Sequence, residues 1–121
     1  MDGRVQLPVN SFLKEHFKAD YVDTVTEAGP NSILAERYSS TLVESIIDRV
    51  RISVEQHGSV GLAVTGHHDC AGNPAVDNAQ IEQIKKAARY LKDWFPEVEI
   101  IGLWVDEEFT VHEVVPPSMI C

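Results

Sequence analysis

Val60-Gly61-Leu62-Ala63-Val64, running on into Thr65-Gly66-His67-His68-Asp69-Cys70-Ala71-Gly72, is the stretch that decides the fold. Its first five residues form an apolar run with no polar face. That is the pattern of a parallel strand covered on both sides, and it predicts a strand inside a sheet. The run then gives way to polar residues between Gly66 and Gly72, so a loop over residues 66–76 leaves the carboxyl end of the strand. Open α/β sheets bind ligands at that end, and position alone marks the loop as a candidate site.

Working outward, Leu42, Ile46, Val50 and Val54 recur every four residues before the strand. They predict an amphipathic helix with Thr41 and Glu44 as a capping box and Gly58 as its stop. After the loop, Asp77 opens a second long helix with Gln80 three residues on. Ile81, Ile84, Ala88, Leu91 and Phe95 follow at steps of three and four, and Pro96 ends it. Residues 98–105 form another apolar strand. Asp106-Glu107-Glu108 then turns the chain into residues 109–115, expected to return as an antiparallel edge hairpin.

Further upstream, Asn10 or Ser11 is expected to cap a short helix holding Phe12, Leu13 and Phe17, with Pro8 ahead of it and Val9 packed on its first turn. Residues 21–27 alternate apolar and polar side chains and read as a brief strand, closed by a loop at Gly29-Pro30. The tail from Pro116 to Cys121 is expected to fray or to pack on a partner. Strand, helix, strand, helix, strand is the order of an α/β domain with a mostly parallel sheet flanked by helices and a C-terminal antiparallel hairpin. The 121 residues suit one domain, 1–121.

The bulk properties exclude several functions. A net charge of −9 repels nucleic-acid phosphates, and no basic stripe offsets it. No apolar run approaches the roughly 20 residues that span a bilayer, and a composition of 44% hydrophobic and 24% charged residues is that of a soluble globular protein. The amino terminus lacks a basic-then-apolar secretory signal, so a cytoplasmic location is expected. Two cysteines make no disulfide framework there. Small neutral or zinc-bound substrates remain open.

His67 and Cys70 stand three apart in a tight turn, where an imidazole nitrogen and a thiolate can converge on one soft cation such as zinc. The same residues also read as a small buried cysteine beside a capped, solvated turn. A third reading is thiol chemistry at Cys70, its acidity raised by His67 or His68. His57, ahead of Gly58, suits the negative end of a helix. His16 reads as similarly structural, and His112 is expected to face outward on the hairpin. Trp94, Phe95 and Trp104 read as core or interface aromatics.

Val64-Thr65-Gly66-His67-His68-Asp69-Cys70-Ala71-Gly72 resembles the strand-end Gly-His-x-x-Cys-Gly signature of the β-class carbonic anhydrases, with Ala71 in place of a glycine. Met1-Asp2-Gly3-Arg4 matches the last four positions of that family's second signature, Cys-x-Asp-x-Arg, which ends its first strand. The two fragments lie in the family's order, and the resemblance runs from Met1 to about Val115, closest to small, compact members. It implies a zinc ion held by His67, Cys70 and a further cysteine that would precede Met1. The ion's bound water would ionise near neutrality and attack carbon dioxide to give bicarbonate.

In that scheme Asp2 and Arg4 are the catalytic pair. Asp2 accepts a hydrogen bond from the bound water or takes the fourth position itself, and Arg4 selects between the two states. Without the preceding cysteine only two protein ligands remain, so zinc is expected to be weakly bound or absent, and activity is not expected of the chain as it stands. Candidate replacement ligands are His68, Asp69, the amino terminus, Asp2 and Cys121. Truncation and a natural variant that lost part of its site are both open. Either way a central strand would be wanting, and each buried backbone group left unpaired costs on the order of 1–3 kcal/mol unless strands rearrange or exchange. A non-catalytic zinc-binding or interaction module of the same fold is the alternative. Family members associate, so a homodimer or higher homo-oligomer is expected.

Overall fold

The computed structural model describes residues 2–71, 73 and 77–119. Four α-helices, α1 (Gly3–His16), α2 (Pro30–Glu36), α3 (Ser40–Gln56) and α4 (Asp77–Trp94), are combined with three strands, β1 (Gly61–His67), β2 (Glu99–Val105) and β3 (Val111–Val115). A short 3-10 turn, Pro117–Met119, follows. The expected loop over residues 66–76 and the chain terminus at Cys121 fall partly outside the described residues.

The fold is α/β as expected, but the sheet is mixed rather than mostly parallel. Its order is β1-β2-β3, with β1 parallel to β2 and β3 antiparallel to β2. The apolar run of β1 was expected inside the sheet. It lies instead at the edge, because among the described residues no strand pairs with its outer side. Val60 is accordingly 72% exposed at its start. β2 takes the central position and is buried along its length after Glu99.

The two long helices follow their apolar spacing. α3 buries Val43, Ile46, Ile47 and Val50, and α4 buries Ile84, Ala87, Ala88 and Leu91. These side chains meet Ile33 and Leu34 of α2 and Val64, Ile100, Trp104 and Val115 of the sheet in one core. The cap of α3 is Ser39, whose Oγ accepts from the Leu42 amide at 3.3 Å, and not the expected Thr41–Glu44 box. Gly58 supplies the stop with φ +70°, a conformation glycine adopts at little cost. Phe95 and Trp104 are core aromatics, whereas Trp94 is half exposed with the Arg51 guanidinium over its ring.

Three amino-terminal expectations need correction. α1 begins at Gly3, not after Pro8, because the Asp2 side chain caps it by accepting from the Arg4 amide. Pro8 sits inside the helix, and residues 2–4 enter a helix rather than closing a strand. Residues 21–27 belong to no strand. Gly29-Pro30 opens α2 rather than a loop: Gly29 adopts φ +69° and Pro30 takes the first helical turn, where its missing N–H costs nothing.

The hairpin is also shorter than expected, starting at Val111. Asp106 explains this, since its Oδ1 accepts from the amides of Glu108 and Thr110 at 2.9 and 3.0 Å and winds residues 106–110 into a turn. Phe109 in that turn has φ +63°.

Candidate functional site

β1 delivers His67 at its carboxyl end, where the residue is 8% exposed. The His68 amide donates to the Val105 carbonyl at 3.0 Å and pins the start of the following turn to β2. Asp69 adopts φ +57°, and the Asn73 amide donates to the Cys70 carbonyl at 3.2 Å, which folds the chain back beyond the cysteine. His67 Nδ1 lies 2.8 Å from the His68 carbonyl oxygen. A carbonyl only accepts, so Nδ1 is the donor in this bond, and in the neutral ring the lone pair sits on Nε2. That is the arrangement by which a histidine is oriented toward a cation.

Nε2 points to the start of α1, with Asp2 Oδ2 4.0 Å away. Asp2 is held by Arg4: Nη2 donates to Oδ2 at 2.6 Å, and Nε lies 3.1 and 3.0 Å from the two oxygens. These side-chain bonds, followed by the Arg4 amide, place the Asp2 carboxyl well below the usual carboxylate range, and the same pairing raises Arg4. Arg4 also reaches the next turn, donating to the Asp69 carbonyl at 3.4 Å and standing 3.8 Å from its carboxylate. The Phe109 ring lies beside the guanidinium, 5.8 Å from its carbon. The amino-terminal fragment and the His67–Cys70 turn thus meet in space although 65 residues separate Arg4 from Asp69.

His67 and Cys70 line one end of a 650 Å³ cavity between α1, the segment 19–26, α3 and β1. Cys70 is a free, half-buried thiol. Of the candidate replacement ligands, Asp2 stays beside His67, the amino terminus and Cys121 lie outside the described residues, and His68 and Asp69 turn elsewhere. His68 Nδ1 sits 3.2 Å from Asp77 Oδ1 of α4, and the Asp69 side chain is largely exposed beside Arg4. Among the described residues no group of three or more histidines, cysteines and carboxylates is placed to hold a metal ion. A catalytic zinc takes three protein ligands and a structural one four, so the described donors do not on their own fit the ion.

The remaining histidines face carboxylates away from this turn. His57 caps the carboxyl end of α3 and bonds Asp23 Oδ2 at 2.6 Å, which lowers that carboxyl below its ordinary value, and Ser53 Oγ donates to the same oxygen at 2.7 Å. His112 is half exposed and pairs with Asp106 at 2.7 Å, while His16 lies between Glu99 and Glu113. Asn31 escaped the sequence reading. It is 1% exposed, its Nδ2 has no hydrogen-bond partner among the described residues, and it lines the same cavity as His67. An asparagine just after Gly29-Pro30 carries only a turn signal, so nothing in the sequence distinguished it.

A family model described as "Putative carbonic anhydrase" matches residues 1–115. No curated protein and no solved structure gives a significant match. The matched span takes in the Asp2–Arg4 pair, the His67–Cys70 turn and every strand of the sheet, and the chain belongs to this carbonic anhydrase family.

Proposed function

We propose that this protein is built on the β-class carbonic anhydrase plan and acts on carbon dioxide and bicarbonate, with His67 and Cys70 as zinc ligands and Asp2 and Arg4 as the pair that works beside them. The observation that carries this reading is the 4.0 Å approach of Asp2 Oδ2 to His67 Nε2, together with the family match over residues 1–115. Arg4 keeps Asp2 ionised and fixes both its oxygens, so the carboxylate is an acceptor for a proton-bearing group held next to His67.

The described donors fall short of a zinc set, so this reading needs a third ligand, for which the resemblance implies a cysteine ahead of Met1. The test is to express the chain with an apolar strand ending in cysteine joined to Met1. Zinc content and stopped-flow hydration of carbon dioxide then rise together. A restored protein that is fully loaded with zinc yet hydrates no faster than buffer rejects the enzymatic reading. That result would leave the second reading, a non-catalytic interaction module of the same fold, which the same incomplete donor set favours. In either case we infer a homo-oligomer, to be checked by sedimentation.

A further inference from the structure

The turn between β2 and β3 holds a side chain that its backbone disfavours. Phe109 adopts φ +63°, in the left-handed region that glycine and asparagine enter readily and a bulky aromatic residue rarely does. Several bonds tie the turn down around it. Asp106 Oδ1 accepts from the Glu108 and Thr110 amides at 2.9 and 3.0 Å, and His112 Nε2 lies 2.7 Å from the second oxygen, Oδ2. The Asp106 amide donates to the Thr110 carbonyl and the Phe109 amide to the Asp106 carbonyl, each at 3.0 Å. A strained residue persists where its surroundings over-determine it in this way.

Burial does not offset the strain, since Phe109 is 43% exposed and stands outside the core. Its ring meets Arg4 instead. The guanidinium carbon lies 5.8 Å from the ring centroid, within reach of a cation–π contact. Arg4 holds Asp2 through Nε and Nη2, and Nη2 also donates to the Asp69 carbonyl. Asp69 is itself left-handed, with φ +57°. The guanidinium thus lies between two turns, one after β1 and one after β2, and each brings a non-glycine residue at positive φ to it.

We propose that Phe109 is a positioning residue for the Asp2–Arg4 pair: its strained turn holds the ring against the guanidinium and so restricts Arg4 to the conformation that bonds Asp2 beside His67. The purpose of that pair rests on the carbon dioxide reading above, whereas the positioning is testable without zinc or turnover.

The test follows solvent exchange of the Arg4 Nε–H, which donates to Asp2, by heteronuclear NMR of the full chain, with the Leu103 amide of β2 as the control for the fold. Phe109→Asn removes the ring and supplies a residue that tolerates the left-handed backbone. Exchange at Arg4 is expected to quicken by about two- to fivefold, the size of an exposed cation–π contact, with Leu103 unchanged and the melting temperature held or raised. Phe109→Tyr keeps the ring and is expected to exchange at the parent rate. Asp106→Ala unties the turn with Phe109 in place and is expected to quicken exchange as well. Failure of the carbon dioxide reading shows elsewhere, in a zinc-loaded, cysteine-joined protein that hydrates no faster than buffer. Unchanged exchange at Arg4 in Phe109→Asn or Asp106→Ala, a Phe109→Tyr variant that behaves like Phe109→Asn, or equal quickening at Leu103 overturns the proposal.

Discussion

His67 Nε2 stands 4.0 Å from Asp2 Oδ2, while the opposite ring nitrogen donates to the His68 carbonyl at 2.8 Å. The imidazole is therefore fixed by its own backbone, and Nε2 is aimed at the amino-terminal cap of α1. Metal-binding histidines are commonly oriented in this way, by donating their other ring nitrogen to a carbonyl.

Zinc uptake is expected to depend on both residues of the turn. In the protein with a cysteine joined before Met1, His67→Ala and Cys70→Ser should each weaken zinc binding by about tenfold or more, measured by competition with a chromophoric chelator. Because binding displaces protons from the donors, uptake should strengthen as pH rises. Unchanged zinc affinity in either variant would remove that residue from the ligand set.

Removing Arg4 is expected to release Asp2. Arg4→Ala should move the Asp2 carboxyl upward toward the usual range, seen in a carboxyl-carbon NMR titration, because the guanidinium bonds are the first cause of its lowering. The sign for stability follows. A carboxyl depressed in the folded state stabilises above its unfolded value and loses that contribution as pH falls through the folded one. The amino-terminal turn of α1 should therefore fray at higher pH in the variant than in the parent. Arg4→Lys should recover only part, since an ammonium lacks the planar fork.

Two glycines should respond in opposite ways. A Cβ at Gly102 would lie 2.5 Å from Ile84 Cγ2 and 2.8 Å from Val115 Cβ, all in the core, so Gly102→Ala should cost about 1–3 kcal/mol by overpacking. A Cβ at Gly3 meets nothing within 4 Å in the first turn of α1. Gly3→Ala should be neutral or stabilise by about 0.4–1 kcal/mol through the unfolded chain. Urea denaturation reads both.

The fully buried Ile84 anchors α4 against the sheet. Ile84→Ala should cost about 2–5 kcal/mol in the same assay, a loss that no exposed α4 position should match.

The sequence was most legible where apolar spacing runs for several turns, as in α3 and α4, or forms an uninterrupted run, as in β1 and β2. It misled where one residue carried two messages. Pro8 reads as a helix boundary, yet Asp2 and Arg4 cap the chain six residues earlier and the helix absorbs the proline. α2 has only seven residues between left-handed Gly29 and Arg37, too few to show a period. The apolar run of β1 reports a strand that can be covered on both sides, but whether a neighbour pairs with it is not written in its own residues. The same holds for the site. Gly66, His67 and Cys70 stand in one motif, and Met1-Asp2-Gly3-Arg4 in another, so their meeting was an expectation open to test. Asn31 became visible only through the cavity it faces.

X-ray absorption at the zinc edge tests the central claim most directly, using the protein with cysteine joined before Met1 and loaded with one zinc. The account predicts two sulfurs at about 2.3 Å and an imidazole nitrogen at about 2.0–2.1 Å, with one sulfur lost in Cys70→Ser and the nitrogen lost in His67→Ala. A spectrum unchanged by both substitutions would contradict it, for the ion would then lie somewhere other than the junction of Asp2 and the His67–Cys70 turn.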